Sequence, residues 1–74
     1  MFDNNSMNDF PNRLIELRTE KGISRQQLAK ELNVSERLIS YWETGKRECN
    51  FDMLIRIADF FAESVDYVLG RKNY

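Results

Sequence analysis

From Phe10 onward, apolar residues return every three or four positions, and no stretch alternates with the period of two that a half-buried strand requires. Phe10, Leu14 and Leu17 share one face of a first helix that opens between Asp9 and Pro11, an acid cap and an early proline, and runs to Lys21. Gly22 supplies its left-handed stop. Ser24 opens a second helix, with Gln27 positioned to reach back as a capping box and Leu28, Ala29 and Leu32 facing inward. Only Asn33 and Val34 separate this helix from Ser35, the next cap, and asparagine tolerates the left-handed conformation a sharp turn needs. The third helix turns Ile39 and Trp42 inward and stops near Thr44 and Gly45. After a loop from Lys46 to Cys49, Asn50 caps a fourth helix whose buried stripe is Leu54, Ile57, Ala58 and Phe61. Ser64 caps a short fifth, with Val65, Val68 and Leu69 apolar, ending at Gly70. The pattern predicts an all-α, compact five-helix bundle over residues 9–70, a polar leader over 1–8 with Met7 a second candidate start, and a tail over 71–74.

Composition narrows the chemistry. A chain of 74 residues holds one small domain, and at that size about 60% of the unfolded surface is buried, so stability rests on consistent local signals or on a partner. One cysteine cannot close a disulfide within the chain, and without histidine there is no Cys/His zinc cluster, so neither metal nor cofactor is expected. Ser-His, Cys-His and metal-water catalysis all lack their base or ligand, which argues against an enzyme. Asp52, Asp59, Glu63 and Asp66 read as helix-start or solvent-face groups, and Cys49 as an ordinary loop residue. The mix of 42% apolar and 31% charged residues is that of a folded domain. No apolar run is long enough to span a bilayer and the first residues are not a signal peptide, so the cytoplasm is the expected location and a membrane is not an expected partner.

The net charge of −1 at first disfavours nucleic acid, but the charges are segregated. Residues 13–47 carry eight basic and five acidic groups, whereas residues 1–12 and 48–74 are each net −2. The basic excess coincides with residues 24–47, SRQQLAKELNVSERLISYWETGKR, where two helices joined by a short turn must cross steeply. Ala29, Val34, Ile39 and Trp42 supply the small residue at the crossing, the apolar turn residue and the large core residues that this packing needs. Such a crossing leaves the N-terminal half and outer face of the third helix projecting outward, as a recognition helix must.

With RLIELRTEKGIS, QQLAKEL, VSERLISYWETGKR and LIRIADFF followed by SVDYVLG, residues 13–70 resemble the Cro and phage-repressor (XRE) type of helix-turn-helix, the lambda-repressor-like DNA-binding domains. The resemblance implies sequence-specific binding to double-stranded DNA, commonly as a homodimer on a palindromic operator, with repression the usual outcome. It makes Arg25 a phosphate or groove-edge contact, joined by Gln26 and Ser35 at the helix starts. Glu36, Arg37, Ser40 and Tyr41 occupy the outward positions of the third helix. Arg37 can make the bidentate contact to guanine, Glu36 can accept from cytosine or simply favour the helix N-terminus, and Ser40 suits either base type. Leu38 and Tyr41 either touch DNA or cover the rim of the core. Thr44, Lys46 and Arg47 suit phosphates.

The same resemblance implies a partly buried ion pair between Arg18 and Glu43. It also implies a two-fold interface near Phe60, Tyr67, Val68 and Tyr74. Ala62 and Glu63 depart from the glycine and apolar residue usual between the last two helices. Two other functions share the fold: an antitoxin-type regulator that also binds a protein partner, and a helical interaction module without DNA affinity.

Overall fold

In the computed structural model, which describes residues 9–72, the chain folds into five α-helices: α1 Phe10–Lys21, α2 Arg25–Leu32, α3 Glu36–Thr44, α4 Phe51–Phe61 and α5 Val65–Val68. The predicted leader over 1–8 and Tyr74 lie outside the described residues.

Four of the five helix starts are fixed by the caps that the sequence signals. Ser24 Oγ accepts from Gln27 N at 3.1 Å while Gln27 Oε1 accepts from Ser24 N at 2.7 Å, closing the capping box. Ser35, Asn50 and Ser64 likewise accept from Leu38, Met53 and Tyr67 N at 2.8–3.0 Å. Each such bond satisfies a backbone donor the helix leaves open, a contribution of about 1 kcal/mol. Asp9 is the exception. Its carboxylate makes no cap bond and accepts instead from Asn12 Nδ2 at 2.9 Å. The start of α1 is anchored from a distance, by Asp9 N donating to Leu69 O at 2.6 Å. That closure also explains Gly70, because a Cβ there would lie 2.7 Å from the Asp9 Cβ.

The helix ends divide by residue type. Gly22 and Gly45 take positive φ without cost, whereas Asn33 and Ala62 hold left-handed conformations at φ of 60° and 57°. The connection at Ala62 therefore keeps the usual geometry and bears the steric penalty of a Cβ in the left-handed region.

The core joins Phe10, Leu14 and Leu17 of α1, Leu28, Ala29 and Leu32 of α2, Ile39 and Trp42 of α3, Ile57 and Ala58 of α4, and Val68 of α5. α3 packs on both α1 and α2, while α4 packs chiefly on α5, which closes onto α1. The thinner cover over α4 leaves Leu54 and Phe61 only half-buried, where the stripe predicts full burial.

One cation is also buried against expectation. Arg13 is 9% exposed, donates through Nη1 to Tyr67 O at 2.9 Å and Lys72 O at 3.1 Å, and lies 4.2 Å from the centre of the Tyr67 ring. It ties α1 to the chain beyond α5, so its charge does not belong to the recognition half.

Candidate nucleic-acid interface

The crossing of α2 and α3 is set by a few backbone bonds. Asn33 turns the chain in its left-handed conformation, and Val34 N donates to Ala29 O at 3.0 Å, which folds the turn residue back over the end of α2. Ala29 is small and buried where the helices approach. At 100° per residue, Glu36, Arg37, Ser40, Tyr41 and Thr44 fall within an arc of about 140°, while Ile39 and Trp42 lie on the far side and Glu43, about 20° from Glu36, is buried at the edge of the arc. Ser35, Glu36 and Arg37 are exposed at the N-terminus of the helix, and Ser40 and Tyr41 are half-exposed along it.

This presentation depends on a buried carboxylate. The Glu43 side chain is 0% exposed in the last turn of α3, where the helix dipole opposes an acid. Two guanidinium groups compensate. Arg18 donates to it through Nε at 2.7 Å and Nη2 at 3.2 Å and uses Nη1 for Ile23 O at 3.0 Å. Arg25 donates through Nε at 2.9 Å. The hydrogen bond to Glu43 holds the Arg18 guanidinium above its ordinary pKa despite burial, which acts the other way. α1, α2 and α3 are thus pinned together at one carboxylate. The sequence points to the pair of Arg18 and Glu43 but not to the second arginine.

Arg25 is 40% exposed, so it reaches solvent at the start of α2 while anchored below on Glu43. Gln26 beside it is exposed and, with Lys30, Val34 and Glu36, lines a shallow cleft between α2 and the start of α3. Lys46 and Arg47 are exposed after α3, and Lys46 Nζ lies 5.9 Å from the centre of the Tyr41 ring. Two residues stand apart from the set. Leu38 lies half-buried against the core beside Met53, on the rim rather than on the outward arc. Thr44 donates its hydroxyl to Ser40 O at 2.9 Å, so in this rotamer it offers no proton to a phosphate.

On α4 and α5 one residue of the expected two-fold interface is out of reach. Val68 is fully buried in the core and presents nothing to a partner, which removes it from the two-fold interface. Tyr67 is covered by Arg13, and Phe60 packs edge-on against Phe61 with Lys21 Nζ 5.2 Å from its ring centre. The large apolar side chains left exposed among the described residues are instead Phe51 and Ile55 on α4, at 83% and 52%. Sequence reading misses them: Phe51, three residues before Leu54 and seven before Ala58, is in phase with the buried stripe, and Ile55 lies beside it, so periodicity gives no signal of their exposure.

Comparison with known proteins places this arrangement. The helix-turn-helix family model matches residues 14–68, most of the chain and the whole of the α2–α3 unit. The chain belongs to the lambda-repressor-like helix-turn-helix family. It is 41% identical over 62 residues to the HTH-type transcriptional activator BcrR of Enterococcus faecalis, a match covering 84% of this chain and 30% of that protein. To the HTH-type transcriptional regulator ImmR of Bacillus subtilis it is 30% identical over 59 residues, covering 80% of this chain and 46% of that one. It therefore spans a third to a half of these relatives. Among solved structures, a transcriptional regulator from Listeria innocua superposes with a TM-score of 0.82 at 31% identity, over 90% of this chain and 63% of the other. The P22 c2 repressor, solved in complex with a synthetic operator, superposes with a TM-score of 0.79 at 28% identity, over 85% of this chain and 96% of the other. The proteins that share this helix-turn-helix are regulators of transcription, not enzymes. No helix among the described residues is long and apolar enough to cross a membrane.

Proposed function

We propose that this helix-turn-helix domain binds double-stranded DNA in the cytoplasm as the recognition module of a transcriptional regulator, with α3 in the major groove. The observation that carries this reading is the outward arc of α3, polar along its length and held to α1 and α2 through the buried Glu43. A helix so fixed presents Arg37, Glu36, Ser40 and Tyr41 to base edges without first having to be ordered.

Arg25, with Nε committed to Glu43, directs the rest of its guanidinium toward a phosphate, and Lys46 and Arg47 flank the far end of the helix. Lys46 and Arg47 set register, and Arg37 reads sequence. Two copies on a pseudo-palindromic operator would place two α3 helices about 34 Å apart, one duplex turn.

Repression follows if the occupied site overlaps a promoter. The Enterococcus relative is named an activator, which favours a second outcome in which the same contacts recruit polymerase. Selection of binding sites from random duplexes, followed by footprinting, tests the reading: a two-fold consensus is expected, and a selection that enriches no sequence would overturn it.

A further inference from the structure

We propose that the recess between α3 and the start of α4 binds a small neutral molecule, an apolar body carrying one carbonyl oxygen, and that this oxygen accepts a hydrogen bond from the indole of Trp42. The site does not depend on what the outer arc of α3 binds. The observation that carries it is an unmet donor. Trp42 is 2% exposed, and its Nε1 is the one buried side-chain nitrogen or oxygen among the described residues without a hydrogen-bond partner. Buried polar groups are nearly always paired, because a donor stripped of water and given no acceptor keeps the full cost of its desolvation. An indole offers one proton and no lone pair, so only an acceptor satisfies it.

Within the core Trp42 meets the Phe10 ring, tilted at 60° with the centroids 6.3 Å apart, which offers no acceptor. Trp42 also lines an open recess of about 280 Å³, walled by Leu38, Cys49 and Met53 with Arg47 and Glu48 at the rim. The space exists because α3 packs on α1 and α2 whereas α4 packs chiefly on α5, which leaves the seam between the two halves thinly filled. Met53, unbranched and polarizable, is suited to repack around an incoming body.

The lining selects the class of ligand. Leu38, Met53 and the half-buried Cys49 thiol form a wall without charge, against which an apolar body loses water favourably. Arg47 and Glu48 bring one charge of each sign, so the rim compensates neither an anion nor a cation. A carboxylate set against a neutral N–H here would keep most of its desolvation cost, and a hydrocarbon would leave the donor unmet. A ketone, aldehyde or ester meets both demands, with one directed polar contact in an otherwise apolar setting.

The chain has one tryptophan, so the indole proton of Trp42 gives a single magnetic resonance signal that reads the site directly. Titrating the full, isotope-labelled chain with probes of one shape tests the proposal: acetophenone carries a carbonyl, benzoate carries a charge, and α-methylstyrene carries no acceptor. Acetophenone is expected to move the indole proton downfield with a Kd of roughly 1 mM, and the other two to bind about tenfold more weakly or less. Met53→Phe, and separately Cys49→Phe, fills the recess and should weaken acetophenone by about tenfold or more, with circular dichroism confirming each fold. An indole proton that acetophenone leaves in place overturns the proposal, as does one that contacts a bound water and moves with no probe. Equal binding of benzoate or α-methylstyrene, or acetophenone binding that both filled variants retain, overturns it too.

Discussion

α3 and α4 are neighbouring helices of similar length, yet their outward faces are opposites. That of α3 is polar and charged, and its inner side is gripped by α1 and α2 with a buried carboxylate shared between two arginines. That of α4 carries Phe51 and Ile55, and its inner side is covered mainly by α5. A rigid helix with a hydrated outer arc suits a polar, highly charged ligand, for which each donor must already be in place. A less covered helix with apolar residues facing water suits a partner that brings its own apolar surface. The contrast shows that the fold constrains the inward faces of the two helices and leaves their outward faces free to differ.

The largest effect should come from removing the carboxylate beneath α3. Glu43→Ala leaves two partly covered guanidinium groups without their buried acceptor and should cost about 3–5 kcal/mol in chemical denaturation, a large share of what a domain of this size possesses. A loss under about 1 kcal/mol would mean that the arginines find water as readily as Glu43, and the rigidity ascribed to α3 would go with it.

On the outer arc, Arg37→Ala should cost roughly 1–3 kcal/mol of specific binding and relax preference at one base pair, while Lys46→Ala should weaken all duplexes alike and flatten the dependence on salt by about one unit. Mobility shifts on specific and random duplex separate the two roles, and equal losses from both variants on both duplexes would erase the division between reading and positioning.

In the α4 half, Ala62→Gly should raise stability by about 1 kcal/mol, because the left-handed φ of 57° penalises a Cβ and not a hydrogen. The smallest effect concerns Cys49, between the two helices. Burial pushes its thiol up from 9.0 to about 11, so the unfolded chain releases the proton at lower pH than the folded one. Its contribution to stability is therefore present below pH 9 and declines as pH rises toward 11. At pH 8 its alkylation should be about a hundredfold slower than that of a free thiol, and a rate like that of the unfolded chain would contradict the burial.

The inward half of the molecule was largely legible in the sequence. Ser24 with Gln27, Ser35, Asn50 and Ser64 are local signals whose partners sit three residues away, so caps and helix starts could be read without knowing the fold. What could not be read depends on distant parts of the chain. Asp9 looks like a cap but the helix start is held by Leu69 O, and Arg13 looks like a surface cation but is buried against Tyr67.

The outward arc of α3 could be assigned only because residues 24–47 resemble a known unit. For α4 no motif played that part. Phe60, Tyr67 and Val68 follow from the resemblance; Val68 is buried in the core, while Phe60 and Tyr67 stay half-exposed at its edge. Phase alone would not have found Phe51, which shares the inward stripe with Leu54 and Ala58; its exposure at the first position of α4 depends on what the rest of the fold brings there.

The proposed DNA recognition rests on the outer arc of α3. Selection from random duplexes with the wild-type chain, repeated with Arg37→Ala, tests it most directly. A two-fold consensus should emerge, with the variant losing discrimination at one symmetric pair of positions and keeping the rest. Enrichment of no sequence, or an unchanged consensus in the variant, would contradict it.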